Sequence, residues 1–304
     1  MLHAPHIFLN EKFTYYQQLS PKGKRKFLSR TKHVAFKKEF VGRDGLRVTD
    51  EMRLLISACW VQVTFGLDFY LTEEYTHVHI YPSTFYSTQI DHQVKGLTTG
   101  QGIIFISWLD FVEDYKVANN LNVGMHEITH AMLISAAFKH NFDDYFTAYY
   151  KEFFDNTKEY YWDLRNGYQS YLREYGGANF VEFLSVSVEA FFENPNELKN
   201  RMPELYYNLC ALLKQDPLNT IGDYKVSRNL VAEMQYTLMD HGIPPEVLKQ
   251  LGANGNALKL KYFAYAVASL VGAILLMGTL VFGVLGLILF ATSLQKFIRA
   301  MRDN

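Results

Sequence analysis

The sequence predicts an α+β fold that is mostly helical, contains a small sheet and ends in a C-terminal transmembrane helix or hairpin. Apolar residues recur at helical spacing over most of the chain, two short stretches have the pattern or composition of strands, and residues 262–294 contain no charge. The chain has 304 residues, 49% of them hydrophobic, and can therefore bury a large core. We expect a globular domain over residues 1–256 and a membrane anchor over residues 257–304.

Composition and charge exclude several classes of protein. Lys and Arg total 30 against 31 Asp and Glu, so the net charge of −1 provides no broad basic field, and we expect no nucleic-acid partner. Cys59 and Cys210 lie far apart in the sequence, which indicates neither a disulfide framework nor a thiolate zinc site and fits a reducing compartment.

Two helices are predicted early in the chain. Ser20 followed by Pro21 is a helix start, and residues 20–40 place apolar side chains among lysines, which is typical of an exposed amphipathic helix. Its basic face is either a solvated surface or one that faces an anionic bilayer or partner. Residues 49–67 begin with a Thr-Asp-Glu cap signature and continue almost without charge, which predicts a central helix.

A small sheet is predicted between the helices. Residues 77–81 alternate as a strand does, and residues 102–108 are rich in β-branched and aromatic side chains. His77 and His79 share one strand face, but no third metal ligand is nearby in the sequence, so we interpret both as surface residues.

The strongest chemical signal is an H-E-x-x-H motif formed by His126, Glu127 and His130, within a stretch that is apolar at helical spacing. Side chains four residues apart share a helix face, so both imidazoles can bind one Zn²⁺ ion. Such an ion lowers the pKa of a bound water, and Glu127 can accept its proton as the water attacks a carbonyl. The motif predicts a zinc metallopeptidase, and a coincidental exposed helix is the alternative.

A zinc site of this type needs a third protein ligand, and Glu182 is the candidate. It interrupts a strongly apolar predicted helix, where a buried carboxylate is costly unless a charged partner or a metal compensates. Glu189 lies two turns further on a similar face. We interpret it either as a hydrogen-bond acceptor for a metal-bound histidine or as a solvated acid.

These residues resemble the Mlc titration factor A family of bacterial, glucose-regulated zinc metallopeptidases, whose core is similar to the catalytic domain of anthrax lethal factor. The resemblance spans about residues 10–220 and rests on several short segments besides the zinc motif. They are residues 46–56, 81–82, 106–110, 126–130, 179–183, 203–206 and 215–217.

The resemblance implies a zincin-like metallopeptidase domain with assigned roles. It implies that the zinc ligands are His126, His130 and Glu182. It further implies that Glu127 is the general base and that Tyr175 stabilises the tetrahedral oxyanion. The sequence departs from the family at Leu133, where the family usually has an Asp, so that hydrogen-bond partner is missing or supplied elsewhere.

The leading prediction is a zinc peptidase anchored in the bacterial inner membrane through residues 262–294, with its catalytic domain in the cytoplasm. Its partners would be peptide or protein substrates, which we expect to bind along residues 103–108 as an edge of the sheet beside the zinc cleft. The alternative is a weakly catalytic or non-catalytic regulator that binds and sequesters a protein partner such as a transcriptional repressor. Retention of Glu127 favours the enzyme, because a pure binding module does not need a general base.

Overall fold

Helices account for most of the computed structural model, which describes residues 4–139, 142–169, 171–237, 247 and 250–251. The chain forms two compact units, Met1–Ser227 and Arg228–Asn304. The α-helices of the first unit are α1 (Pro5–Lys12), α2 (Thr14–Gln17), α3 (Pro21–Lys37), α4 (Asp50–Thr64), α5 (Trp108–Asp114), α6 (Val123–Ile134), α7 (Asp144–Arg165), α8 (Phe180–Glu193), α9 (Pro195–Arg201) and α10 (Pro203–Leu213). Its strands are β1 (Glu39–Gly42), β2 (His77–Tyr81), β3 (Phe85–Ser87), β4 (His92–Val94), β5 (Gly96–Thr98) and β6 (Ile103–Ser107).

Three further helical segments lie outside this set. A π-helical segment, Ser135–Lys139, continues directly from α6. A 3-10 helix, Glu174–Gly177, precedes α8. The described part of the second unit contains α11 (Arg228–Thr237).

The two predicted early helices are confirmed, with their caps. The Ser20 hydroxyl accepts a hydrogen bond from the Gly23 amide at 3.1 Å, and the Thr49 hydroxyl accepts one from the Met52 amide at 3.3 Å. These bonds satisfy amides that the first turn of a helix leaves without a partner. The first helix is shorter than the predicted stretch, because residues 39–42 leave it to form β1.

The main sheet has the strand order β1-β2-β6-β5. β1, β2 and β6 run parallel, whereas β5 pairs antiparallel with β6. The reversal is a tight turn in which the Thr99 amide donates to the Ile103 carbonyl, and Gly102 takes a positive φ of 82° that glycine adopts at little cost. A separate two-stranded sheet consists of β3 and β4.

The prediction that residues 103–108 form a sheet edge is wrong. β6 is paired on both sides, with β2 and with β5. The edge on this side is β5, a strand of three residues that includes a glycine and is too short to show an alternating pattern in the sequence. Any peptide that adds to this side of the sheet must therefore pair with β5.

The surface interpretation of the strand histidines is also wrong for one of them. His77 is partly exposed and lies 3.3 Å from the Glu39 carboxylate. His79 is only 6% exposed, and its Nδ1 accepts a hydrogen bond from the Arg43 guanidinium. Burial and then the neighbouring guanidinium lower the pKa of His79, so it is a neutral buried side chain.

The transmembrane helix or hairpin in the predicted fold class is corrected by the structure. Among the residues described, no helix combines the length and the apolar character needed to cross a membrane. The longest of them, α3 with 17 residues and α7 with 22, both carry charged side chains. Residues 262–294, on which the prediction depended, lie outside the described residues.

Hydropathy alone was the basis of that prediction, and it does not distinguish a helix in lipid from apolar chain packed in protein. The observed architecture is mostly helical with a small sheet. The absence of a membrane-spanning helix among the described residues contradicts the predicted membrane anchor and the predicted membrane localisation.

Candidate metal centre

The N-terminus of α6 is fixed by side chains from three elements. The Asn122 side chain caps the helix by accepting from the Met125 amide at 3.0 Å. Asp114, at the end of α5, accepts from the Val123 amide at 2.8 Å, and Glu189 on α8 accepts from the Asn122 amide at 2.6 Å. Carboxylates are favourable at a helix N-terminus because the exposed amides carry partial positive charge. The helix is thereby anchored one turn before His126.

Two imidazoles and one carboxylate converge where α6 packs against α8. The Nε2 atoms of His126 and His130 are 3.1 Å apart. Glu182 lies in the first turn of α8, and its Oε2 is 2.9 Å from the first of these nitrogens and 3.2 Å from the second. In the described part of the chain, these three residues are the group identified as able to hold a metal ion.

The triangle of atoms fits a metal ion of the zinc type. Zinc takes nitrogen and oxygen ligands at about 2.0 to 2.2 Å, which in tetrahedral geometry places ligand atoms about 3.3 Å apart. The observed separations of 2.9 to 3.2 Å are within a few tenths of an ångström of that value. Two histidines and one glutamate are also a donor set found in catalytic zinc sites, which keep a further position open for water.

The electrostatics of the cluster favour a cation. Burial alone would lower the pKa of His126, but its hydrogen bonds with Glu182 and Glu189 outweigh burial and raise it to about 10. Burial alone would raise the pKa of Glu182, but the two histidines hold it well below the usual range. Both shifts have one cause, the attraction between the carboxylates and a positive charge held at the imidazole nitrogens. A divalent metal ion supplies that positive charge in place of a proton.

Glu127 lies beside the triangle and is not part of it. It is 6% exposed, and burial raises the pKa of its carboxyl above the usual value for glutamate. Its Oε2 accepts a hydrogen bond from the Thr98 hydroxyl at 2.7 Å. A raised pKa suits a group that accepts a proton near neutral pH, because a stronger base takes the proton more readily.

Tyr175 is placed next to the cluster by the 3-10 helix before α8. Its ring centroid is 6.0 Å from that of His126, and the residue is 55% exposed. Partial burial of the phenol group and then the charge of Glu182 raise the pKa of Tyr175 to about 12. The phenol therefore keeps its proton at neutral pH and can donate it in a hydrogen bond.

Glu189 is the hydrogen-bond partner of His126, and the alternative of a solvated acid is wrong. The side chain is 1% exposed, and its Oε1 lies 2.7 Å from Nδ1 of His126. The same oxygen accepts from Arg173, which in turn donates from Nε to the Asn120 carbonyl. Arg173 was missed in the sequence, where a single arginine two residues before Tyr175 gives no signal of this contact.

The structure shows what surrounds Leu133, where the family usually has an Asp, and which acceptor the nearby His126 has. Leu133 is buried in α6 and has no side-chain atom that accepts a hydrogen bond. The imidazole of His126 instead has its acceptor on α8, in Glu189. This acceptor is remote in sequence, 63 residues from the histidine that it contacts.

We expect Glu189→Gln to weaken metal binding about 10- to 100-fold, the usual cost of losing the outer partner of a metal-binding histidine. The charge that holds the ring of His126 and balances Arg173 is lost, while the size of the side chain is kept. Competition with a fluorescent chelator measures the affinity. Glu193→Gln, one turn further on α8, is the matched control, because Glu193 accepts from the amides of Asn119 and Leu121 and from the Asn122 side chain at 3.4 Å and has no bond with His126. Equal losses in both variants would contradict the assignment.

Comparison with known proteins gives a family for most of this chain. A family model described as glucose-regulated metallo-peptidase M90 matches residues 3–214, a range that includes every residue of the metal centre. A protein of Synechocystis sp. named as uncharacterised is 24% identical over 236 residues, covering 70% of this chain and 85% of that protein. Mlc titration factor A of Yersinia pestis and of Yersinia pseudotuberculosis is 23% identical over 208 residues, covering 60% of this chain and 73% of that protein.

Proposed function

The chain belongs to the glucose-regulated metallo-peptidase M90 family, and we propose that it is a zinc-dependent peptidase that hydrolyses peptide bonds by attack of a metal-activated water. The observation that carries the proposal is the buried carboxylate of Glu127 beside the converging atoms of His126, His130 and Glu182. A structural ion would need a fourth protein ligand and no neighbouring base. A hydrolytic site needs both an open position and a proton acceptor.

Each side chain has a role that follows from its surroundings. His126, His130 and Glu182 would hold the zinc ion, which when bound acts as a Lewis acid and lowers the pKa of a water. Glu127 takes the proton of the attacking water and delivers it to the leaving amine. Tyr175 keeps its proton and donates a hydrogen bond to the oxyanion that develops on the substrate carbonyl.

The substrate would bind as an extended peptide along β5. This strand pairs with β6 on one side and is an end strand of the sheet, and its residue Thr98 contacts Glu127. Main-chain hydrogen bonds to a sheet edge hold a peptide in a fixed register with little dependence on its side chains. The scissile carbonyl is then held next to the base and the metal ligands.

Binding of a protein partner is a second candidate function. It is favoured by the relatives named Mlc titration factor A, since that name describes titration of a protein called Mlc. A single variant distinguishes peptide hydrolysis from binding of a protein partner. Glu127→Gln removes the base, so a partner bound equally well by this variant and by the unaltered protein would be bound independently of hydrolysis.

The proposed activity is tested by metal removal from the purified protein. We expect about one zinc ion per chain by elemental analysis. Hydrolysis of a mixed peptide library, followed by mass spectrometry, should fall to background after treatment with a chelator and return when Zn²⁺ is added back, but not with Mg²⁺, which prefers oxygen ligands. Hydrolysis that survives complete removal of metal would refute the proposal.

A further inference from the structure

We infer that β5 positions the general base, with Gly96 and Thr98 holding the Glu127 carboxylate in a single orientation. Residues 96 and 98 of a strand lie on the same face, and in β5 this face contacts α6. Neither residue bears on metal binding directly. The inference rests on the proposed function for its catalytic consequence.

The contact with Thr98 fixes one oxygen of the carboxylate. The Thr98 hydroxyl lies 2.7 Å from Oε2 of Glu127 and 2.9 Å from the main-chain carbonyl oxygen of the same residue. The hydroxyl has one proton, and an ionised carboxylate is the stronger acceptor. Threonine is β-branched and stiff about its first side-chain torsion, so the hydroxyl is held in place. The hydroxyl therefore holds Oε2, and with it the orientation of the carboxylate.

Gly96 packs against the other oxygen of the Glu127 carboxylate. A Cβ atom at residue 96 would lie 2.5 Å from Oε1 and 2.6 Å from Cγ of Glu127, and 2.7 Å from a methyl group of Val123. A Cβ atom this close would force the Glu127 side chain and the Val123 methyl group to shift, so the main chain of the strand packs directly against the carboxylate. A glycine within a strand often marks such a close approach. The carboxylate is thus confined between the glycine main chain and the threonine hydroxyl.

The sheet keeps β5 itself in place. Gly96 pairs with Ile106 and Thr98 with Ile104, and both partners are fully buried residues of β6. The position of the base is therefore set by the register of two strands. Because we also propose that the substrate pairs with β5, a single strand would align the scissile bond with the group that activates the water.

The consequence is a loss of turnover without a loss of binding when the hydroxyl is removed. Thr98→Val keeps the branched shape and removes the donor. We expect kcat to fall by about 10-fold or more, with KM changed by less than about twofold, because misplacement of a reacting group by about 1 Å can cost about 100-fold. Thr98→Ser retains a hydroxyl and should recover most of the lost kcat. The zinc content of all variants should equal that of the unaltered protein.

Thr99→Val is the matched control. Thr99 is the next residue in the chain and is buried, but its hydroxyl donates to the Ile103 carbonyl and not to Glu127. The Thr99→Val variant tests whether the loss of any threonine hydroxyl in this turn lowers kcat. Equal effects of Thr98→Val and Thr99→Val, or no recovery in Thr98→Ser, would overturn the inference.

A second measurement does not depend on activity. The carboxyl carbon resonance of Glu127, assigned by its disappearance in Glu127→Gln, should shift in Thr98→Val, while Thr98→Ser and Thr99→Val should leave it close to its original position. An unmoved resonance in Thr98→Val would overturn the positioning role even in an active enzyme. If the unaltered protein hydrolyses no peptide, the proposed function fails, and the resonance alone decides whether Thr98 holds the carboxylate.

Discussion

Replacing Glu127 with glutamine is expected to lower kcat for peptide hydrolysis by about 1,000-fold or more, and to leave the affinity for metal close to that of the unaltered protein. General-base catalysis contributes about 100- to 10,000-fold in rate, and an amide cannot accept the proton of the attacking water. Glutamine has the size of glutamate, and its oxygen can still accept from the Thr98 hydroxyl. The change therefore removes basicity and preserves the packing.

Steady-state kinetics and elemental analysis of the purified variant measure the two effects. Glu174→Gln is a matched control, because Glu174 is an exposed glutamate beside Tyr175 in the same 3-10 helix. It should retain the kcat of the unaltered protein. Glu127→Gln with metal bound and with normal turnover would show that another group takes the proton.

The site residues that could be predicted are those whose role depends only on neighbouring residues in the sequence. His126 and His130 are four residues apart in a helix, so helical geometry alone brings their side chains to one face. Glu182 was identifiable because a carboxylate in an apolar helix needs compensation, and its distances to both histidines supply a reason for it. Neither inference required knowledge of the tertiary fold.

The remainder depends on contacts between elements that are remote in sequence. Thr98 meets Glu127 only because β5 turns back onto β6, a pairing that three residues of strand do not reveal. Arg173 contacts Glu189 because the 3-10 helix that follows Arg173 packs against α8, and the sequence does not reveal this packing. Gly96 lies in a strand that the sequence did not reveal, so the close approach of its main chain to Glu127 could not be predicted either.

In the fold, too, features set by neighbouring residues were predictable and features set by contacts between remote elements were not. Capped helices such as α3 and α4 follow from their own residues, and β2 was recognisable from alternation. The position of β6 inside the sheet was not, since strand order is decided by pairing partners. The transmembrane prediction failed for a related reason. An apolar composition says that a segment avoids water and does not say what surrounds it.

Replacing Glu182 with glutamine is expected to weaken metal binding by about 1,000-fold or more, which exceeds the 10- to 100-fold cost of an altered outer partner. The variant loses the carboxylate that faces both Nε2 atoms of His126 and His130, and a neutral amide is a weaker zinc ligand than a carboxylate. Peptide hydrolysis at limiting zinc should fall in parallel. Saturating zinc should restore part of it, because both histidines and the base remain.

Calorimetric or chelator-competition titrations with Zn²⁺ measure this effect, and circular dichroism checks that the variant is folded. Glu193→Gln on the same helix is the control, since Glu193 accepts from the amides of Asn119 and Leu121 and from the Asn122 side chain instead of contacting the histidines. A comparison with Glu189→Gln then ranks the two carboxylates that contact His126. If Glu182→Gln bound zinc as tightly as the unaltered protein, a different side chain would be the third ligand. A greater loss in Glu189→Gln than in Glu182→Gln would reverse the assignment of ligand and outer partner.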